Sequence, residues 1–313
     1  MLELVSKSFF HLLATRVTLQ RLASRIGMRK RASFARRFIA GETVAEAIAA
    51  AQVVEGRGLL ITLDHLGENV TNLAEADAAT REYLDIVSAM VEARIGRNIS
   101  LKLTALGLDV DKACAVDNLR KILERAEPAG FFVRLDMESS QYTEITLEIL
   151  ETLWQQGHRG LGVVLQAALR RSEQDLPHIS ALGARIRLVK GAYTEPRAVA
   201  YRKKADVDAA FERMMKVLIT AGHDPAIATH DEVMIDKTRR WAAEHGVTPD
   251  RFEFQMLYGV RRDLQAMLVK AGYRVRVYIP FGRQWFPYFM RRLGERPANL
   301  LFLIRSLGRE RHG

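Results

Sequence analysis

The chain has 313 residues, 48% of them hydrophobic, which is enough for one large domain or two small ones. Lysine and arginine outnumber aspartate and glutamate by 47 to 37, and the net charge of +10 admits anionic lipid, nucleic acid or acidic metabolites as partners without choosing among them. No run of about 18 uncharged apolar residues occurs, which argues against a spanning helix. A single cysteine, Cys114, excludes an internal disulfide framework and points to a reducing, cytoplasmic setting.

The first stretch, MLELVSKSFFHLLATRVTLQRLASRIGMRKRASFARRF, is basic and amphipathic. It reads as a helical pair packed on the main body, with a transit peptide or a membrane-surface helix as alternatives. GETVAEAIAAAQVVEGRG then predicts a helix with Thr43 at its N-cap and Gly56 to Gly58 at its end. Residues 1–57 are expected to form an N-terminal helical region, and residues 58–313 the main domain.

From residue 59 short apolar runs recur, each ending in polar residues and followed by a helical stretch. They are LLITLDHLGE, NISLKLTALG, FFVRLDMESS, LGVVLQAALRR, IRLVKGAY, AIATHDE, FEFQMLYG and VRVYIPFG. Amphipathic segments such as TREYLDIVSAMVEARIG and ADVDAAFERMMKVLITAG lie between them. Strand then helix, repeated eight times, predicts parallel pairing with helical crossovers and an α/β fold of the closed (β/α)8 type. No dinucleotide-binding glycine fingerprint follows the first strand, and there is no P-loop.

In such a barrel the chemistry sits at the C-terminal ends of the strands. Strand 1 ends in Asp64 with Glu68 just beyond it, strand 2 carries Lys102, strand 3 carries Asp136 and Glu138, and strand 4 carries Gln166. Arg187 and Lys190 belong to strand 5, Thr229 and His230 to strand 6, Gln255 to strand 7 and Tyr278 to strand 8. Lys102, Asp136 and Arg187 each stand between apolar neighbours. A charge in an apolar strand costs several kcal/mol unless it is paired or functional, so three of them suggest a shared polar centre. A structural ion-pair network is the competing reading.

Metal binding finds no support, because the histidines form no i, i+4 pair and have no cysteine partner. Nucleophilic hydrolysis lacks a G-x-S-x-G elbow. Lys102 or Lys190 could serve a Schiff-base lyase, the main alternative chemistry. The basic residues are spread along the chain, which argues against a nucleic-acid surface. The last part, YIPFGRQWFPYFMRRLGERPAN, predicts a helix starting near Trp285 with Pro287 in its first turn. Tyr288, Arg291 and Arg292 share one side of it, and the two guanidinium forks suit a small carboxylate. Glu295 is within reach of either arginine.

LKLTAL, RLDMES, VVLQA, RIRLVKGAY, ATHDE, FEFQML and YIPFG…YFMRRLGERPAN occur in an order that resembles the flavin-dependent proline dehydrogenases, most of all their short monofunctional bacterial form. The likeness runs from about residue 58 to about residue 305. It implies a distorted (β/α)8 barrel with extra N-terminal helices and an eighth helix over the barrel mouth. It implies noncovalent FAD and oxidation of L-proline to Δ1-pyrroline-5-carboxylate, with a membrane quinone as electron acceptor; the basic N-terminal stretch, by its own composition, admits peripheral membrane contact. Arg291, Arg292 and Lys102 match the cations that grip the proline carboxylate. Leu257, Tyr278 and Tyr288 match the walls of the ring pocket, and Asp136 and Arg187 match residues acting at the reacting centre. Leu165, Gln166, Arg187, Val189, Lys190, Gly191, Ala192, Thr229 and His230 match the surroundings of the flavin. One further expectation concerns closure: Gly294 loosens the eighth helix, and Glu68 or Asp64 on the first loop pairs with Arg291 when that helix closes.

Overall fold

A computed structural model of the chain describes residues 34 to 295, Gly222 excepted, and gives the backbone alone for Phe34 and for residues 291 to 295. The basic stretch before residue 34, and with it the expected helical pair, lies outside the described residues. The eight predicted runs become β1 (Leu60–His65), β2 (Asn98–Leu101), β3 (Phe132–Leu135), β4 (Leu161–Gln166), β5 (Arg185–Val189), β6 (Ala226–Ala228), β7 (Glu253–Leu257) and β8 (Arg274–Phe281). All pair in parallel and in sequence order, and β8 returns to β1, with Leu60 opposite Arg276 and Asp64 opposite Pro280. The barrel is therefore closed and presents no edge.

Helices surround it. In chain order they are α1 (Val44–Glu55), α2 (Leu73–Glu92), α3 (Lys112–Ala126), α4 (Thr143–Gln155), α5 (Ser172–Leu182), α6 (Lys204–Ala221), α7 (Glu232–Glu244), α8 (Arg262–Lys270) and α9 (Trp285–Glu295). Their starts follow local chemistry. Thr43 and Glu46 form a reciprocal capping box on α1. Asn72, Asp111 and Asp231 cap α2, α3 and α7 by accepting from backbone N–H groups that would otherwise lack a partner. α1 packs on β1 and β8, and α9 leaves β8 after a turn at Gly282.

Two cores result. The larger fills the space between barrel and helices, with Ile61, Leu63, Ile99, Leu101, Val163 and Leu165 pointing outward into it. The smaller joins the start of the described chain to its end. Phe38 and Ile39 pack with Trp285, Tyr288 and Phe289. The Trp285 indole N–H donates to Glu42 at 3.1 Å, and the Ala40 and Gly282 amides bond across to Pro280 and Gly41.

Inside the barrel the residues of alternate parity converge. Its lower layer is charged. Arg276 donates to Glu253 at 2.8 Å and to the Ile61 carbonyl at 2.7 Å, and Arg134 donates to the Val163 and Arg185 carbonyls at 3.0 and 2.5 Å. This crowding fixes Gly162 in β4, because a Cβ there would lie 2.5 Å from both the Arg185 carbonyl oxygen and the Phe132 ring.

Candidate active site

Above the charged layer a cavity of about 800 Å³ opens at the C-terminal ends of the strands. That is the end at which such barrels carry their chemistry. Its polar floor is one connected set. Asp136, just beyond β3, accepts from Arg187 Nη1 at 2.6 Å and from the Tyr278 hydroxyl at 2.8 Å. Arg187 Nη2 donates to Ser100 Oγ at 3.0 Å, and its guanidinium lies 5.4 Å from the Tyr278 ring centre. Burial, reinforced by Asp136, pushes the Tyr278 phenol well above its ordinary range, so it stays a donor.

Lys102 follows the end of β2 and enters a 3-10 turn over Leu103–Leu106. Its apolar neighbours therefore reflect the strand exit, not a position within the strand. It is 8% exposed, lines the cavity, and its Nζ lies 3.5 Å from Asp64 Oδ1. Burial works against the ammonium, but Asp64, followed by Asp136 and Glu68, more than offsets it and holds Lys102 charged. A lysine held protonated is not a nucleophile, which counts against the Schiff-base chemistry considered from sequence. The same pair corrects an expectation for Asp64. It is not a loop carboxylate but a fully buried residue of β1, inside the barrel beneath Lys102. Glu68 does lie on the loop after β1, and Lys102 feels its charge.

Leu257, Tyr278 and Tyr288 line one part of the cavity, and Phe38, Val260 and Phe289 extend the same apolar wall. Arg291, Arg292, Gly294 and Glu295 fall on α9, but their side chains are not described, so pairing of Arg291 with Glu68 lies outside the described contacts. Gln166, Val189, Lys190, Gly191, Ala192, Thr229 and His230 line the other part. Leu165 does not. Strand alternation turns it into the outer core and brings Val164 and Gln166 inward, a correction to its expected place by the cofactor. Gln166 Nε2 donates to the Glu138 carbonyl at 2.9 Å, and His230 Nε2 accepts from the Leu257 amide at 2.9 Å. Lys190 reaches Asp208 at 2.5 Å and Asp231 at 2.7 Å, with Lys204 beside the same carboxylates.

Three features suit a large polar heterocycle with an anionic tail. Gly191 has φ +114°, and a Cβ there would meet Ala168 at 3.1 Å and Gln166 Oε1 at 3.2 Å, so bare backbone faces the cavity. Gln255 Oε1 and Arg187 Nε are buried without hydrogen-bond partners among the described residues. Lys190, Lys204 and the N-terminal end of α7 bring donors to the cavity wall, with Asp208 and Asp231 balancing the two lysine charges.

Sequence reading missed Phe38, Val164 and Phe289 in this cavity and the buried Arg134, Glu253 and Arg276 below it. The period of two could have found four of these. Val164, Arg134, Glu253 and Arg276 stand two residues before Gln166, Asp136, Gln255 and Tyr278, hence on the same inward face. Nothing local marks Phe38.

A sequence profile described as proline dehydrogenase matches residues 47–305. The chain is 38% identical over 304 residues to proline dehydrogenase 2 of Bacillus subtilis strain 168, covering 97% of this chain and 99% of that one. It is 41% identical over 279 residues to the proline dehydrogenase of Deinococcus radiodurans, covering 88% and 90%. Among solved structures, proline utilization A of Bdellovibrio bacteriovorus inactivated by N-propargylglycine superposes with a TM-score of 0.77 at 28% identity, over 83% of this chain and 32% of that larger one. The chain belongs to the proline dehydrogenase family, and its enzymatic class is proline dehydrogenase.

Proposed function

We propose that the chain oxidises L-proline to Δ1-pyrroline-5-carboxylate with a noncovalent FAD held in this cavity. The observation that carries the reading is the hydrogen-bonded set of Asp136, Arg187 and Tyr278 with Lys102 beside it, in a cavity that Gln166, Lys190 and the bare backbone of Gly191 also line. When bound, the flavin supplies the hydride acceptor, at N5, for the hydride on proline C5. Gln166, Val189, Lys190, Gly191, Ala192, Thr229 and His230 would hold it, and Gln255 Oε1 offers an acceptor that no donor among the described residues uses.

The chain's own residues bind and orient. Lys102, with Arg291 and Arg292 from α9, holds the proline carboxylate. Anchoring the ring at one end converts a loose encounter into a fixed approach, which is worth several kcal/mol of barrier. Tyr278, Tyr288 and Leu257 exclude water from the ring. Asp136 spends both carboxylate oxygens on Arg187 and Tyr278, so it orients them and is badly placed to take the proton from the substrate nitrogen. Arg187, paired with Asp136, keeps an Nε–H without a partner among the described residues and would offer it where electron density builds during the reaction. A membrane quinone as the final acceptor, reached through surface contact of the basic N-terminal stretch, completes the proposal.

The test compares proline with pyrrolidine, which has the ring but no carboxylate. Arg292→Met should raise KM for proline by about 10- to 100-fold, the cost of one charge-assisted contact, and leave pyrrolidine almost unchanged. Equal losses on both substrates would refute the clamp.

A further inference from the structure

Asp64 has no part in the mechanism above, yet it is the most deeply placed carboxylate of the site. It is 0% exposed, burial raises the affinity of its carboxyl for a proton, and neither oxygen accepts a well-formed hydrogen bond among the described residues, although the Tyr278 hydroxyl is near enough to act on it. A buried, uncompensated carboxylate is costly, so its presence demands a reason. The nearby donors are committed elsewhere. Tyr278 gives its proton to Asp136, and Arg187 is divided between Asp136 and Ser100. What remains is the Lys102 ammonium at 3.5 Å, an ion pair too long for a good hydrogen bond.

The register explains the pairing. Asp64 of β1 lies opposite Ser100 of β2, and Lys102 follows Ser100 by two residues on the same inward face. Lys102 thus stands one layer above Asp64, between it and the cavity. Asp136, Glu68 and Tyr193 also act on Lys102, while Asp136, Tyr278 and His65 act on Asp64. Asp136 is shared with Arg187 at 2.6 Å, so Asp64 is the stronger of the negative charges acting on the lysine.

We propose that Asp64 is a positioning residue for substrate binding: it keeps Lys102 an ammonium ion at the cavity floor, so that the carboxylate-binding charge is present before substrate arrives. The inference rests on the reading of Lys102 as a carboxylate contact and goes one step further back. Without Asp64, burial is opposed only by the weaker influences of Asp136, Glu68 and Tyr193, so Lys102 loses its proton at a lower pH than in the wild type. A carboxylate would then bind only by bringing a proton with it. The sign follows directly: a lysine whose charge is lost as pH rises gives binding that weakens as pH rises.

The test uses Asp64→Asn, which keeps the shape and removes the charge. The ratio of variant to wild-type KM for proline should grow with pH, by about tenfold per pH unit above the lowered Lys102 transition. The corresponding ratio for pyrrolidine should stay flat. Calorimetry with cyclopentanecarboxylate, which has no amine to oxidise, supplies a reading independent of turnover. Repeated in two buffers of different ionisation enthalpy, it should show proton uptake on binding to the variant and none to the wild type. Asp64→Glu should restore most of the flat profile. Lys102→Met separates the two layers of reasoning. If Lys102→Met weakens proline and the analogue while Asp64→Asn shows no pH-dependent divergence, Asp64 is only structural and this inference falls alone. If Lys102→Met leaves both unaffected, the carboxylate reading of Lys102 falls and takes this inference with it. Should Asp64→Asn not fold, the wild type still decides, since proton uptake by wild type on binding the analogue between about pH 6.5 and 9 would overturn the proposal.

Discussion

Replacing Glu253 with glutamine probes the charged layer under the cavity. Glu253 is 4% exposed and accepts from Arg276 at 2.8 and 2.9 Å, with Arg274 at 3.3 Å. Burial raises the affinity of its carboxyl for a proton, but Arg276, then Gln255 and Arg274, lower it by more, leaving it at about 2 against an ordinary 4.5. A depressed acid stabilises the fold above its unfolded value, and that stabilisation is lost as pH falls through the folded value. The difference contributes about 3 kcal/mol at pH 7 and less than half of that at pH 3. Glu253→Gln should therefore lower stability by about 3 kcal/mol at neutral pH, with Arg276 left buried without its carboxylate. Urea unfolding of both proteins from pH 7 to pH 3 measures it. The two stability curves should converge on acidification. Curves that stay parallel, or a neutral-pH difference under about 1 kcal/mol, would refute the assignment of Glu253 as the anion that offsets the buried arginines.

Gly191→Ala should cost about 1–3 kcal/mol of stability and retain much less flavin on purification, because its Cβ would stand 3.1 Å from Ala168 in a backbone conformation of φ +114°; urea unfolding and absorbance per protein are the checks. Asp136→Asn should leave proline KM within a few-fold but cut turnover by about 100-fold, since Arg187 and Tyr278 lose their common acceptor and shift together; single-turnover reduction rates would measure it. Phe38→Ala should raise proline KM and loosen the pad beneath α9, read as a change in Trp285 fluorescence at unchanged far-ultraviolet dichroism.

The barrel was legible because its signal is repeated. Each strand is a short apolar run closed by polar residues, and closure by β8 onto β1 follows from having eight of them in order. The start of α9 at Trp285, with Pro287 in its first turn, and the Thr43 cap of α1 followed from local chemistry. What escaped depends on distance in sequence or on a parity that was not applied. Asp64 stands at the end of an apolar run and reads equally well as a loop residue, and only the pairing of β1 with β2 shows it under Lys102. Leu165 sits in the right motif but on the outward face. Phe38 comes from the N-terminal region expected to pack on the main body, but nothing in the sequence says where, and its ring lies 6.4 Å from that of Phe289, more than two hundred residues later. Such a contact is set by tertiary packing and leaves no local trace in the sequence.

The most direct test of the account is the visible spectrum of the purified protein before and after anaerobic addition of L-proline. The account predicts a flavin spectrum that bleaches on addition. A flavin spectrum that stays oxidised would contradict the substrate, and a colourless protein that takes up no added FAD would contradict the reading of the cavity as a flavin site.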